Sequence, residues 1–298
     1  MSRLSWWNGG ALAVAVAAST LAAAPRGERR DEGPRAATHE PATGVEPAHR
    51  IASASTVADS LLLELCAPSR VVAVTARSAE GPRAHRFEGF PTIRALDDVE
   101  AIVALRPEVV VAHNVAEPGR VARLEGVGIR VLDLGSLEGR RTLGEDARAI
   151  GALCGAPDAG ARWAAAFERR MGAIAARVPP ERRRGALYLT IYGDRFMGGT
   201  DGTSYHDVLV AAGLVDLAAA RFDGWPTYDV EQLLELDPET IVTRDGMSAT
   251  LCAHDALRAL RACPRGMIEL DPELLDDPGP GMLDAAEALF AAAYPAAD

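Results

Sequence analysis

Short apolar segments alternate with segments of helical periodicity along the chain from about residue 49 onward. The apolar segments include RIASAS, RVVAVT and EVVVA, and one of the helical segments between them is TVADSLLLELC. Strands that are apolar at successive positions and separated by helices are typical of a parallel sheet covered on both faces. The pattern therefore predicts an N-terminal α/β lobe over residues 49–138.

The pattern turns helical over an unusual length from Thr142 to Val178. Alanine-rich runs lie on either side of GAPDAG, whose glycines and proline are expected to kink or break the helix. We assign residues 139–179 to a connecting helix. Strands and helices resume with GALYLTIYG, and they predict a C-terminal α/β lobe over residues 180–298.

One sequence pattern occurs in both predicted lobes. Residues 98–111 read DVEAIVALRPEVVV and residues 229–242 read DVEQLLELDPETIV, with seven of the fourteen aligned positions identical. Stacked repeat architectures recur every ~20 to 50 residues and at least three times, so a single recurrence does not fit them. The recurrence predicts two similar lobes, each with a capped helix, a proline break and a strand.

The N-terminus has the arrangement of a secretory signal peptide over residues 1–24. Arg3 precedes an apolar run at residues 11–16, and small residues follow at 22–24, where the cleavage is expected. The apolar run is shorter than the ~20 residues that a membrane-spanning helix needs. No cysteine lies near the small residues, so we expect a mature protein that is free in the periplasm and has no lipid anchor. Residues 25–48 are rich in proline, glycine and charge and predict a disordered leader.

Composition limits the possible functions. The chain has 298 residues, of which 48% are hydrophobic, and this is enough to bury a core in one large domain or two smaller ones. Its formal net charge is −11. Because binding to phosphate backbones requires clustered lysine and arginine, we expect no nucleic-acid partner.

Four cysteines could form disulfides in an oxidising compartment. Cys252 and Cys263 flank the helix-like segment AHDALRALRA, which one disulfide could close. The pairing does not follow from the sequence alone. For Cys66 and Cys154, buried thiols are an equally good interpretation, because both residues lie on apolar helical patterns.

Five segments, in this order and spacing, resemble the periplasmic substrate-binding proteins of ABC importers for cobalamin, ferric siderophores and haem. The segments are RIASASTVADSLLLELCAPSRVVAVT, DDVEAIVALRPEVVVA, GTSYHDVLVAAG, WPTYDVEQLLELDPETIV and IELDPELLDDPGPGMLDAAEAL. The resemblance extends from about Arg50 to Pro295. It implies two α/β lobes with parallel sheets, joined by a single long backbone helix, with the ligand cleft between the lobes.

The resemblance also implies a function and a partner. The protein would capture a metal chelate and deliver it to an ABC permease dimer, acting as a monomer without a cofactor or catalytic activity. In proteins of this type a glutamate at the start of one helix in each lobe pairs with an arginine of the permease, and the matching residues are Glu100 and Glu231. Helix capping is the alternative, because the helix dipole favours acidic residues in a first turn by ~0.3 to 1 kcal/mol, and Asp97 with Glu100 has capping-box spacing.

Candidate ligand contacts come from both lobes. Trp225 matches a cleft tryptophan of the cobalamin-binding member, and a tryptophan buried in the core is the alternative. The polar candidates lie near the start of a helix in each lobe and are Ser55, Thr56, Thr203, Ser204 and Tyr205. Amides and hydroxyls at a helix N-terminus suit an anionic or polar ligand group, whereas the same residues could also form only a turn and an N-cap.

Two segments depart from the family pattern. The loop over residues 77–94 lacks the family's tyrosine and proline signature, and Gly281 stands where many members carry arginine. The loop has basic side chains instead, at Arg77, Arg83, His85 and Arg86. Basic side chains at a cleft edge favour an anionic chelate, but solvated loops also contain arginine, so the sequence leaves the identity of the chelate open.

Two other functions compete with this one. A binder of free zinc or manganese ions could use histidines from both lobes, namely His85, His113, His206 and His254, although such binders usually have a histidine-rich loop and this chain has six histidines in all. A secreted hydrolase could use Ser204, His206 and Asp207. Side chains two residues apart on one short segment point away from each other, however, and the chain has no GxSxG motif.

Overall fold

The computed structural model describes residues 44–81, 83–115 and 117–295. The N-terminal lobe contains five strands, β1 (Ile51–Ser53), β2 (Val71–Thr75), β3 (Thr92–Ile93), β4 (Val109–Ala112) and β5 (Arg130–Asp133). They form one parallel sheet in the order β3-β2-β1-β4-β5. Its helices are α1 (Thr56–Leu65), α2 (Ala76–Glu80), α3 (Val99–Leu105) and α4 (Pro118–Glu125).

Both faces of this sheet are covered, as the wholly apolar strands predict. Successive residues of a strand face opposite sides of a sheet. Val109 and Val111 of β4 accordingly join a hydrophobic cluster with α1, while Val110 joins a second cluster with Ile102 of α3 and Leu124 of α4.

Two helices, α5 (Arg140–Leu153) and α6 (Pro157–Ala175), follow the first sheet. The connector predicted as one helix over residues 139–179 is therefore broken at residues 154–156, within the segment whose glycines and proline indicated a break. The helices pack against each other, α5 also contacts α1, and α6 contacts the C-terminal lobe. The long helix that joins the lobes is thus α6 alone.

The C-terminal lobe contains a parallel sheet and a small antiparallel one. Its strands are β6 (Gly185–Tyr188), β7 (Thr190–Tyr192), β8 (Arg195–Met197), β9 (Val215–Asp216), β10 (Thr227–Tyr228), β11 (Thr240–Arg244) and β12 (Met267–Leu270). Its helices are α7 (Ser204–Ala211), α8 (Val230–Leu236), α9 (Ser248–Ala253), α10 (Pro272–Leu275) and α11 (Met282–Ala293). The parallel sheet has the order β12-β11-β6-β9, and β10-β8-β7 form the antiparallel sheet. The predicted α/β class with parallel sheets is confirmed, whereas the sequence pattern did not predict the antiparallel sheet.

The repeated pattern folds into the same unit in each lobe, a helix followed by a strand in the middle of the sheet. Asp98 caps α3 by accepting a hydrogen bond from the Ala101 amide, and Asp229 caps α8 in a full capping box with Gln232. The cap of α3 is thus Asp98 and not Asp97, whose spacing to Glu100 had suggested it.

The described chain packs against the core earlier than predicted. Ala48 is fully buried, and its amide donates to the Leu153 carbonyl over 2.9 Å. Residues 44–48, assigned to the disordered leader, therefore include a segment that packs on the N-terminal lobe. The predicted signal peptide at residues 1–24 and the leader up to residue 43 lie outside the described residues.

Two disulfides link the four cysteines. The pair Cys252–Cys263 is confirmed, with Cα atoms 5.5 Å apart. Cys66 and Cys154 are also paired, with Cα atoms 5.3 Å apart, and they join the end of α1 to the end of α5. Of the interpretations left open for these two residues, the buried thiol is therefore wrong.

None of the helices in the described ranges is long and apolar enough to cross a membrane.

The contact between α5 and α6 predicts a difference between two glycines on one helix. A Cβ at Gly160 would overlap the Ala147 carbonyl oxygen of α5, whereas a Cβ at Gly172 would have nothing within 4 Å. We expect Gly160→Ala to lower the free energy of unfolding by about 2 kcal/mol, because the overpacking exceeds the gain of about 1 kcal/mol in helix propensity. Gly172→Ala should raise it by about 0.5 kcal/mol. Urea unfolding followed by circular dichroism measures both, and equal stabilisation by the two variants would contradict the close contact.

Candidate ligand cleft

A cavity of about 690 Å³ lies between the two lobes. Its lining comes from the carboxyl ends of parallel strands in both lobes, which is where open α/β sheets bind ligands. In the first lobe Arg77 lies just past β2 and Arg94 just past β3. In the second lobe Glu273 and Asp276 follow β12.

The N-terminal wall is held in place by buried polar contacts beneath it. Asp59 of α1 accepts hydrogen bonds from the amide and the hydroxyl of Thr75, which caps α2. Burial raises the pKa of the Asp59 carboxyl, and the hydrogen bonds from Thr75 oppose this rise. These contacts fix the start of α2, from which Arg77 extends.

Two arginines of the N-terminal wall carry unpaired charge. Arg77 and Arg94 are exposed and line the cavity, and neither has an ion-pair partner in the described ranges. Their neighbour Arg86 pairs with Glu64 of α1. In the described part of the chain the wall therefore presents two guanidinium groups without an ion pair, which suit anionic ligand groups, together with the exposed Glu80 carboxylate.

The C-terminal wall is built on a hydrogen-bonded aromatic cluster. The Tyr205 hydroxyl donates to Asp276 Oδ1 over 2.6 Å, and Arg244 Nη2 lies 2.9 Å from Asp276 Oδ2. Tyr205 stacks on Tyr188 with ring centroids 3.8 Å apart. Burial is the main cause that raises the pKa of the Tyr205 hydroxyl, so this group stays a hydrogen-bond donor at neutral pH.

Trp225 lies against this cluster and is open to solvent. Its ring meets the Tyr205 ring edge-on, with centroids 5.3 Å apart, and 58% of the residue is exposed. The alternative of a tryptophan buried in the core is therefore wrong. The exposed indole is connected to the cavity lining through Tyr205 and Asp276.

An ion-pair cluster joins the two lobes at the cavity. Arg83, from the basic loop, lies 3.0 Å from Asp277 Oδ2 and 3.0 Å from Asp284 Oδ2. Burial raises the pKa of the Asp277 carboxyl, and the Arg83 charge opposes this rise. A Cβ at Gly281 would overlap Asp277. The absence of a side chain at Gly281 therefore leaves room for this pair.

The predicted polar contacts occupy different positions relative to the cavity. Thr56 lines it. Ser55 is buried, caps α1 and lies 2.7 Å from His113 Nδ1, whose Nε2 lies 3.1 Å from Asp146. Thr203 and Ser204 are buried at the start of α7, and the Thr203 hydroxyl donates to the Thr200 carbonyl. The structure thus brings Thr56 to the cavity and Tyr205 to its wall, and ligand contact by any of these residues stays a prediction.

The two predicted docking glutamates lie on the surface. Glu100 and Glu231 are exposed in the first turns of α3 and α8, and neither has an ion-pair partner in the described part of the chain. Their role in docking stays a prediction.

Sequence reasoning missed most of the C-terminal wall. Arg244 ends β11, and Asp276 follows the short helix α10, but neither belongs to a recognisable motif. Arg94 was also missed, although it lies directly after an apolar residue of β3. A search for polar residues just past each predicted strand could have found Arg244, but no strand was predicted before Arg94.

The histidines required for a metal-ion site are held in separate contacts. His113 pairs with Asp146, His206 Nδ1 lies 2.9 Å from Asp216, and the His254 ring meets Phe196 edge-on. The hydrogen bond to Asp216 raises the pKa of His206. Over the described residues, no group of three or more histidine, cysteine, aspartate or glutamate side chains could hold a metal ion.

Comparisons with known proteins agree with this architecture. A family model for periplasmic binding proteins (Peripla_BP_2) matches residues 51–268. The periplasmic heme-binding protein HutB of Vibrio cholerae superposes with a TM-score of 0.71, at 20% identity over 83% of this chain and 99% of that one. At this identity the likeness concerns the fold.

Two curated relatives are matched over part of their length. A cobalamin-binding protein of Halobacterium salinarum is 32% identical over 155 residues, which are 51% of this chain and 41% of that protein. An uncharacterized ABC transporter substrate-binding lipoprotein of Bacillus subtilis, YvrC, is 22% identical over 205 residues, or 66% of this chain and 65% of that protein. The chain thus spans less than two thirds of the length of either relative.

The family model covers well over half of the chain, and its match runs from β1 of the first parallel sheet into β12 of the second. The resemblance found in the sequence is therefore confirmed, and the chain belongs to the periplasmic binding protein family.

Proposed function

We propose that this protein is the extracytoplasmic substrate-binding component of an ABC importer. It captures a metal chelate between its lobes and delivers the chelate to a permease dimer. The chelate is cobalamin, haem or a ferric siderophore. The observation that carries the proposal is the cavity of about 690 Å³ lined from both lobes. Small-molecule sites have volumes of about 300 to 1,000 Å³ and combine apolar lining with a few polar anchors.

The relatives support the ligand class. HutB is a heme-binding protein and the Halobacterium relative is a cobalamin-binding protein. Both ligands are large metal chelates, and both expose a broad conjugated surface. An exposed tryptophan beside a rigid tyrosine pair suits such a surface, because aromatic side chains supply a large contact area.

The cavity lining carries charges of both signs. Over the described residues Arg77, Arg94, Glu80 and Glu273 line it without an ion-pair partner, whereas Asp276 is paired with Arg244. Free guanidinium groups favour anionic chelates such as haem, with its propionates, or a ferric siderophore. The tryptophan match favours cobalamin, so the ligand experiments below compare all three.

We also propose secretion through a signal peptide at residues 1–24, with the mature protein free in the periplasm. The short apolar run before small residues supports this. The Bacillus relative is named a lipoprotein, so an anchor is the outcome to test against. Intact-mass measurement of periplasmic protein should give a chain that lacks Met1 and carries no lipid.

The first ligand experiment is a titration of purified protein with haem, cyanocobalamin and several ferric siderophores, followed by tryptophan fluorescence. We expect one of them to bind with submicromolar affinity, about −8 kcal/mol or better. Trp225→Ala should weaken it roughly fivefold, since the lost aromatic contact contributes on the order of 1 kcal/mol. Tyr192→Ala is the matched control, because Tyr192 and Trp225 are both exposed and outside the cavity lining, but Trp225 contacts Tyr205 of the C-terminal wall. Tight binding of zinc with no chelate bound would overturn the ligand class in favour of a metal-ion binder.

The second ligand experiment separates anionic from uncharged chelates. The double variant Arg77→Gln/Arg94→Gln should weaken haem or an anionic siderophore about tenfold or more, because charge-assisted hydrogen bonds contribute about 1.5 to 3 kcal/mol each. Binding of cyanocobalamin should change much less. Arg195→Gln, at an exposed arginine on β8 outside the cavity lining, is the control. Equal affinity of all variants for haem would show that these arginines do not contact it.

The docking assignment predicts a separation of transport from ligand binding. Glu100→Ala and Glu231→Ala should leave ligand affinity nearly unchanged and reduce uptake by cells, since both carboxylates are exposed on helices outside the cavity. Loss of a charge at the rim of an interface mainly changes the association rate and the salt dependence. Glu125→Ala, on α4 outside the repeat, is the control. If either docking variant abolished ligand binding by the isolated protein, the assignment would be wrong.

A further inference from the structure

The two repeats match in their burial as well as in their sequence. Residues 98–111 and 229–242 have the same burial at every aligned position except Arg106 and its counterpart Asp237. Both helices end at a residue with positive φ, which precedes a proline, and these residues are again Arg106 and Asp237. The protein therefore presents one structural unit twice, although seven of the fourteen aligned side chains differ.

One exposed position in this unit is apolar in both lobes. Val103 is 39% exposed on α3, and Leu234, its counterpart 131 residues later, is 41% exposed on α8. Exposed large hydrophobic side chains are few in the described ranges, and they comprise Val103, Val127, Tyr192, Val215, Trp225 and Leu234. Single exposed apolar residues need no explanation, but two at the same place in an internal repeat do. Helix propensity does not explain Val103, because valine is a poor helix former.

Each of these two side chains lies beside a carboxylate that has no ion-pair partner within the described ranges. Val103 follows Glu100 by three residues and Leu234 follows Glu231 by three, a spacing that puts Cβ atoms about 5 to 6 Å apart on a helix. Other acidic groups at the ends of these helices are engaged. Glu235 pairs with Arg221, and Asp237 pairs with Arg261.

Both carboxylates lie at the cleft side of their lobes. The end of α3 lies at the amino end of β1, because Arg50 donates to the carbonyls of Leu105 and Arg106. The chain leaving α8 likewise reaches the amino end of β6, where the Glu239 amide donates to the Gly185 carbonyl. The helix starts therefore point toward the carboxyl edges of the sheets, where the cavity lies.

We propose that Val103 and Leu234 are the apolar halves of two equivalent docking patches, each completed by the neighbouring glutamate and each taking one long basic side chain of a two-fold symmetric partner. The guanidinium of an arginine would pair with the carboxylate, while its methylene groups cover the aliphatic side chain, as long basic side chains commonly do. Arginine fits better than lysine because its planar group pairs with a carboxylate through two hydrogen bonds. This inference rests on the proposed function, which supplies the permease dimer as the partner.

If the docking patches exist, an apolar contact and an ion pair each contribute to the affinity of the protein for the permease, and substitutions can separate the two contributions. The assay uses spheroplasts of the source organism that lack this chain, to which purified protein and radiolabelled haem or cyanocobalamin are added. The concentration of protein that gives half-maximal uptake reports its affinity for the permease. Val103→Thr and Leu234→Asn keep the side-chain size and remove apolar surface, and each should raise this concentration about fivefold through lost burial. Val127→Thr and Val215→Thr are matched controls at other exposed valines, 55% and 46% exposed, and should change nothing.

The salt dependence of half-maximal uptake shows whether a variant has lost an ionic or an apolar contact with the permease. The glutamate variants should flatten the dependence of half-maximal uptake on salt, because they remove a screened charge pair. The two apolar variants should leave this dependence as steep as in the unchanged protein, and Val103→Ile should retain full affinity. Thermal melting and the ligand titration check that every variant is folded and loaded.

The outcomes distinguish this inference from the function on which it rests. One outcome is that the glutamate variants impair uptake while Val103→Thr and Leu234→Asn behave like the control valines. In that case Val103 and Leu234 do not contact the permease, and the inference is wrong although the proposed docking through the glutamates is supported. If the unchanged protein supports no uptake, or the glutamate variants have no effect, the proposed docking fails and this inference fails with it.

Discussion

The contact between α5 and α6 is the constraint on which the two-lobed architecture depends. Gly151 and Gly160 allow the two backbones to approach so closely that a Cβ on either residue would overlap the other helix. Phe167, Met171 and Ile174 of α6 belong to the same hydrophobic cluster as residues of both parallel sheets. The core of one lobe therefore continues through α6 into the other lobe. Because cores are close-packed, a change in this contact would be felt on both sides of the cleft.

The cleft has walls of different chemistry because different elements end there. The first lobe contributes arginines that follow strands, and the second contributes acidic residues, among them Asp276, which Tyr205 and Arg244 hold in place. Arg83 reaches from the first lobe to the aspartates of the second. The walls are thus braced by buried hydrogen bonds beneath them and by an ion-pair cluster between them. Such bracing lowers the conformational cost of binding, since fewer side chains must be ordered by a ligand.

The sequence predicted the parallel sheets because several of their strands, such as β2 and β4, are apolar or nearly so and are separated by periodic helices. It did not predict the antiparallel sheet, since β8 and β10 contain only two or three residues and show no period. The break between α5 and α6 was indicated by Gly155 and Pro157, but their antiparallel packing depends on tertiary contacts that local pattern does not contain.

The candidate site was less accessible to sequence reasoning than the fold. The resemblance suggested Thr56, which lines the cavity, and Trp225, which contacts Tyr205, while the repeat drew attention to Glu100 and Glu231; the roles of all four stay predictions. The contact of Tyr205 with Asp276 joins residues 71 positions apart, and no local signal relates them. The sequence also does not reveal how exposed Trp225 is, because the same residues around it could place its side chain in the core or at the surface. The apolar positions Val103 and Leu234 became informative only when their exposure was known.

The central claim is that a metal chelate occupies the cavity between the lobes. Its most direct measurement is anomalous X-ray diffraction from crystals grown with haem or cyanocobalamin, recorded at the iron or cobalt absorption edge. We expect one anomalous peak inside the cavity, between the Thr56 and Arg77 side and the Asp276 side, with the chelate plane near Trp225. A peak elsewhere on the protein, or a cavity that stays empty of metal while the chelate is bound, would contradict it.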